Sequence, residues 1–141
     1  MIVIQSDEND CSIADYTLID PARADLGSLG LRCFSHPEYL YPLSRYQEGL
    51  VTEVVPEHRL DRVVVADIGG IPADLAGMDP TIILADPRTA ERMDPLSPNL
   101  VPGCENGWVA YPPPRRIEMV EPFYASGNAT VHVHGRSQRR G

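Results

Sequence analysis

Two pairs of side chains in this 141-residue sequence have the types and spacing to do chemistry. The first is His132 and His134 in "VHVHGRSQRRG". On a strand, alternate side chains share a face, so the two imidazoles could chelate one metal ion. No Asp or Glu follows to supply a third ligand, and His36 and His58 lie in unrelated contexts. The pattern therefore reads as the polar face of a half-exposed strand, and no metal site is expected. The second pair is Asp67 and Asp86, which close the apolar runs "VVVAD" and "IILAD". If both runs were parallel strands joined by a short crossover helix, both carboxylates would sit at their carboxyl ends, where open α/β sheets bind ligands. That arrangement would suit a divalent metal and a phosphate ester. Against it, Asp86 precedes Pro87 as a helix cap, and no lysine or glycine-rich phosphate loop accompanies the pair.

Nucleophilic chemistry finds no support. There is no Gly-x-Ser-x-Gly, and no Ser or Cys stands at a recognisable spacing from a histidine. All 12 basic residues are arginine. The absence of lysine removes Schiff-base, lysine-base and phosphate-loop mechanisms together. It fits a GC-rich genome, in which arginine codons prevail. No catalytic residue and no cofactor are expected.

Charge is more informative than any motif. The net charge is −8, which argues against binding nucleic acid through a basic face. It is also unevenly placed. Residues 1–22 carry Asp7, Glu8, Asp10, Asp15 and Asp20 without an arginine, while residues 123–141 carry Arg136, Arg139 and Arg140 without an acidic side chain. An acidic head and a basic tail can pair between neighbouring copies through bidentate arginine–carboxylate contacts. Trp108 and Tyr111, in "CENGWVAYPPP", add an aromatic and proline surface suited to subunit contact. Three cysteines, Cys11, Cys33 and Cys104, show no zinc spacing. Buried free thiols are the expected state, with an interchain disulfide as the alternative. The start has no secretory signal pattern, and the longest apolar stretches are too short to cross a bilayer, so no membrane association is expected.

The elements that would position these residues are punctuated by 14 prolines, which exclude long helices over most of the chain. "MIVIQ", "SIADYTLI" and "ATVHVHG" alternate with period two, and "LDRVVVAD" and "TIILAD" read as buried strands. "LRCFS", "LVTEVV", "GWVAY" and "RIEMV" are weaker strand candidates. Short helices are expected in "DPARADLG", capped by Asp20, in "DPRTAERMDP", capped by Asp86, and in "SHPEYL". "DPLSPNLVPG" and "YPPPRR" read as extended connections.

These signals sum to one mainly β domain over residues 1–141, a β-sandwich or barrel with two or three short helices, ending in a basic tail at 135–141. A small α+β or α/β domain is the alternative. The functional expectation is a non-enzymatic structural subunit of a larger assembly, with Arg136, Arg139, Arg140, Trp108, Tyr111, Asp7, Glu8 and Asp10 as partner-binding residues. Its partners would be other protein subunits, through self-assembly or within a viral shell or tail. The favoured instance is a capsid decoration or head-to-tail completion protein in the virion of a high-GC tailed phage, assembled in the host cytoplasm. A small metal-dependent hydrolase using Asp67 and Asp86, and a monomeric ligand-binding β domain, are the other two readings.

Overall fold

Two of the period-two segments and one apolar run form a single sheet, and every pairing in it is parallel. In the computed structural model, which describes residues 1–52, 63–105, 109–124 and 129–133, strand β1 is Ile2–Gln5 and β2 is Val65–Gly69. Two short strands follow, β3 (Cys104–Glu105) and β4 (Val109–Ala110), which pair antiparallel with each other. Strand β5 is Ala129–Val133. The sheet order is β1-β2-β5. Ile4 stands opposite Asp67, and Asp67 opposite Val131.

Parallel neighbours cannot be joined by a tight turn and require a crossover, usually helical. The helices are α1 (Arg32–Ser35), α2 (Leu43–Thr52), α3 (Pro80–Ala85) and α4 (Pro114–Tyr124). The first crossover carries α2, and the second carries α3 and α4. With strands added in one direction, right-handed crossovers place their helices on one face of the sheet. The packing agrees, since α4 lies against β2, β5, α2 and α3. The main core between the two layers holds Val63, Val65, Ile71, Leu75, Ile83, Ile117, Met119, Val120 and Phe123, with Ile2, Ile4, Leu43, Tyr46 and Leu50 packed on it.

The expectation of a mainly β sandwich or barrel is therefore overturned: helix exceeds strand. "TIILAD" is α3, not a strand. Asp79 accepts a hydrogen bond from the Thr81 amide and Pro80 occupies the first turn, so the cap outweighs the β-branched run. "RIEMV" lies within α4, where Ile117, Val120 and Phe123 are fully buried at helical spacing. "LRCFS" is α1 and "LVTEVV" begins inside α2, whose Leu43, Tyr46 and Leu50 meet the core at helical intervals. Of "GWVAY", Val109–Ala110 form β4, and Gly107 and Trp108 lie outside the described residues. The second half of "SIADYTLI" is a turn of 3-10 helix at Tyr16–Ile19, and Ile13 forms only an isolated bridge with Leu40.

Pro122 sits inside α4 and cannot donate to the carbonyl of Glu118. That carbonyl instead accepts from Gln47 Nε2 at 3.2 Å. The proline's missing donor thus becomes a cross-link from α4 to α2.

A satellite core of Leu18, Leu26 and Leu40, with Ile13, Cys33 and Tyr39 against it, lies in the long connection after β1. Its polar centre is Arg32, only 3% exposed, whose guanidinium donates to the carbonyls of Leu18, Asp20, Arg23 and Gly27 at 2.6–3.1 Å. The Asp20 and Arg23 carbonyls also accept backbone bonds from the Arg23 and Leu26 amides, so one planar fork ties together turns that are already formed. A disulfide joins Cys11 to Cys33 across a Cα separation of 5.4 Å. The expectation of free thiols at these two positions is corrected, while Cys104 remains a half-buried thiol.

Candidate functional site

The carboxyl ends of β1 and β2 open toward the first turn of α4, the place where parallel sheets ordinarily receive a ligand. Here the chain fills that place itself. Asp67 points from β2 to the helix face and is completely buried, with Oδ1 accepting from Arg116 Nε at 3.0 Å. Arg116 extends onward to donate to the carbonyls of Glu8 at 2.9 Å and Ser6 at 3.4 Å, just beyond the end of β1. Neighbouring Arg115 donates to Asp10 Oδ2 at 2.9 Å and to the Tyr41 carbonyl at 2.7 Å. Two arginines in a helix's first turn oppose the helix dipole, and contacts with carboxylates and carbonyls compensate. Gly69 and Gly70 close the edge further. A Cβ on Gly69 would lie 2.5 Å from Pro113 Cγ, and one on Gly70 would strike the backbone of Ala110 and Tyr111. The glycine pair of "DIGG" thus marks a close approach of chains.

Asp67 Oδ2 is buried and accepts no hydrogen bond among the described residues. Burial pushes the Asp67 carboxyl above its ordinary pKa, against the Arg116 charge and hydrogen bond that draw it down. Burial likewise pushes Glu91 up, with Asp10 adding to the rise and Asn9, Arg115 and Arg116 opposing it. Asp86 behaves in the opposite way: hydrogen bonds from the Arg88 side chain and amide hold it down at about 2. Asp86 caps the 3-10 turn Pro87–Thr89, and Arg88 bridges it to Asp74. Asp67 and Asp86 therefore answer to different arginines, and Asp86 follows a helix, not a parallel strand. The geometry imagined for a two-carboxylate metal centre is not formed. No group of three metal-ligating side chains occurs among the described residues.

Of the partner-binding residues expected from sequence, Asp7, Glu8, Asp10 and Tyr111 converge on this edge. The Tyr111 amide donates to the Asp7 carbonyl at 2.9 Å, and Glu8 and Tyr111 line a cavity of about 240 Å³ with Asn9, Gly30, Asn99 and Leu100. Asp10 is held by Arg115 of its own chain. Trp108, Arg136, Arg139, Arg140 and His134 lie outside the described residues, as does His58. Residue His132 lies in β5 beside Ile68.

Two features were missed by sequence reasoning. One is a cavity of about 150 Å³ between β1, α2 and α4, walled by Ile4, Leu43, Tyr46 and Met119 and rimmed by Asp10, Ser12, Arg115 and Arg116. The helical spacing of Leu43, Tyr46 and Leu50 was its only signal in the sequence. The other is the loop Arg92–Val101, which does not run extended but folds back on itself. The Asp94 amide donates to the Asn99 carbonyl at 2.9 Å and the Val101 amide to the Arg92 carbonyl at 2.8 Å. At the tip Asp94 accepts from the Leu96 amide at 2.8 Å and from Ser97 Oγ at 2.9 Å. Asp followed by Pro is the composition of such a side-chain-capped turn. Leu96 stands at the tip, 94% exposed, with Met93 half-exposed below it and Leu100 buried at the base.

The chain matches no protein-family model, no curated protein and no solved structure. The class is defined by geometry: a three-stranded parallel α/β layer with a closed carboxyl edge and a projecting, internally braced loop. Among the described residues no helix is long and apolar enough to cross a membrane.

Proposed function

We propose that this chain is a non-enzymatic structural subunit that works by protein–protein contact. The observation that carries the reading is Leu96, a large apolar side chain held 94% exposed on a braced tip. Bracing lowers the entropy lost on docking. Closure of the sheet's carboxyl edge by Asp67, Arg116 and Pro113 supports the non-catalytic part. The partner is another copy of the chain in a symmetric assembly, and the setting is the virion of a high-GC tailed phage, as capsid decoration or head-to-tail completion. That setting is supported by composition alone: an acidic chain whose only basic residue is arginine. Light scattering across a concentration series tests the reading. Masses above the 15.5 kDa of one chain are expected, and a monomer at every concentration would overturn self-assembly.

A monomeric ligand-binding domain is the second reading, favoured by the apolar-walled cavity of about 150 Å³. A cavity of about that size takes one benzene ring, and the arginines on its rim are ion-paired to Asp10 and Asp67. This reading requires a monomer whose melting temperature rises with a small aromatic molecule such as benzene.

A further inference from the structure

We infer that the outer edge of β1 pairs antiparallel with β1 of a second copy of this chain, across a two-fold axis at Val3, an inference that rests on the self-assembly reading above. Strand β1 stands at one end of the sheet order β1-β2-β5. The Ile2 amide donates to the Val64 carbonyl and the Ser6 amide to the Ile68 carbonyl, so the even-numbered residues of β1 turn their main-chain groups toward β2. Main-chain direction alternates along a strand, and Val3 and Gln5 therefore turn theirs outward. Neither has a backbone hydrogen bond on that side among the described residues, and both are exposed, Val3 by 49%. Such a row of unpaired groups is a template for another strand, and edges kept single are protected by charge, proline or a bulge. Residues Ile2–Gln5 carry no charge and no proline, and they match β2 residue for residue without a bulge.

Self-complementarity commits the partner to a second copy. Centred on Val3, an antiparallel pair sets Val3 against the partner's Val3 as a hydrogen-bonded pair, and Ile2 against the partner's Ile4. Ile2 and Ile4 are partly buried against the core on the helix side of the sheet, and the pairing lays each beside its apolar counterpart. Charge selects the antiparallel direction. The chain carries −8, and its acidic residues begin with Asp7, just past β1. Parallel pairing would stack the acidic segments of the two copies. Asp7 stands four residues from the axis, so antiparallel pairing leaves the two copies of Asp7 ~26 Å apart at about 3.3 Å per residue, well beyond the ~8 Å screening length of physiological salt. An isologous contact closes at two copies, and growth beyond the dimer falls to the Leu96 loop.

Val3→Pro tests the edge, because the amide it removes points away from β2. Leu96→Asp, which removes the loop contact, is expected to scatter at twice the 15.5 kDa chain mass, and Leu96→Asp/Val3→Pro at the mass of one chain. Where Val3→Pro lowers the melting temperature, Val3→Lys takes its place, since it sets like charges directly opposite each other on the axis. Cross-linking reads the register. Opposed residues of a hydrogen-bonded pair have Cα atoms about 5.5 Å apart, within disulfide range. With the free thiol removed by Cys104→Ser, Val3→Cys should oxidise in air to a covalent dimer, and Gln5→Cys should not. The β1 pairing is overturned, while self-assembly stands, by a wild-type oligomer that Leu96→Asp alone reduces to a monomer. A Leu96→Asp dimer that survives a folded Val3→Pro or Val3→Lys overturns it equally, as does a Gln5→Cys cross-link that forms as readily as the Val3→Cys one. A wild type that is monomeric throughout overturns both.

Discussion

A buried carboxylate with one partnered oxygen is the most consequential single residue in this molecule. Asp67 balances the Arg116 charge inside the fold, and Arg116 in turn ties the end of β1 to the start of α4. Removing one member of a buried ion pair strands the other, at a cost of about 3–5 kcal/mol. Asp67→Ala is expected to lose stability of that order in urea denaturation, and a loss under about 1 kcal/mol, the worth of a surface pair, would refute the bridging role. Asp67→Asn should lose less, because its amide oxygen still accepts from Arg116 Nε. The pH dependence has a definite sign. The folded pKa of Asp67 lies above its ordinary 3.8, so the folded state binds that proton more tightly than the unfolded chain. Asp67's contribution is therefore most favourable at low pH and declines as pH rises above 3.8 through the raised value. The stability of Asp67→Asn relative to wild type should improve over the same interval, and a difference independent of pH would contradict the raised pKa.

At the scale of elements, the long connection after β1 depends on staples more than on regular structure. Before α2 its helices are single turns, and its own core has three buried residues gathered around the Arg32 fork and the Cys11–Cys33 bond. The disulfide closes a loop with a sequence separation of 22, and a loop of about that length restricts the unfolded chain by roughly 3 kcal/mol. Reductant is expected to lower the melting temperature by roughly 10 °C for a domain of this size. A Cys11→Ala/Cys33→Ala double variant should match the reduced wild type. No change on reduction would mean that the bond constrains nothing the fold has not already fixed.

Assembly, at the scale of the whole molecule, couples stability to concentration. Anything that binds only the folded chain raises its apparent stability by mass action, and a second copy is such a ligand. The wild-type melting temperature is expected to climb with protein concentration, whereas that of Leu96→Asp should climb less steeply, through the β1 contact alone. Because Leu96 is 94% exposed, the variant should equal wild type in stability when both are dilute. A melting temperature that depends on concentration equally in both chains would place the assembly contact elsewhere.

The sequence by itself determined the local pieces whose signals are short-range. Period-two alternation located β1 and β5, and a continuous apolar run located β2, because side chains alternate along a strand wherever the strand ends up. Capping chemistry placed Asp86 at its turn and would have placed Asp79, had the β-branched run of "TIILAD" not been given more weight. The converging acidic head and Tyr111 were marked by charge and composition. Only the tertiary structure decided that the strands are parallel, which converts a supposed sandwich into a sheet with one helical layer. Strand direction is set by what connects the strands, and α4 was hidden by Pro122, whose missing donor is compensated by Gln47, a residue 71 positions from Glu118. Asp67 drew notice from its place in an apolar run, but its partner Arg116 is 49 positions away. Nothing local in either residue's neighbourhood specifies the other. Burial and pairing across such distances arise when layers pack together, and so do the cavity behind β1 and the exposure of Leu96.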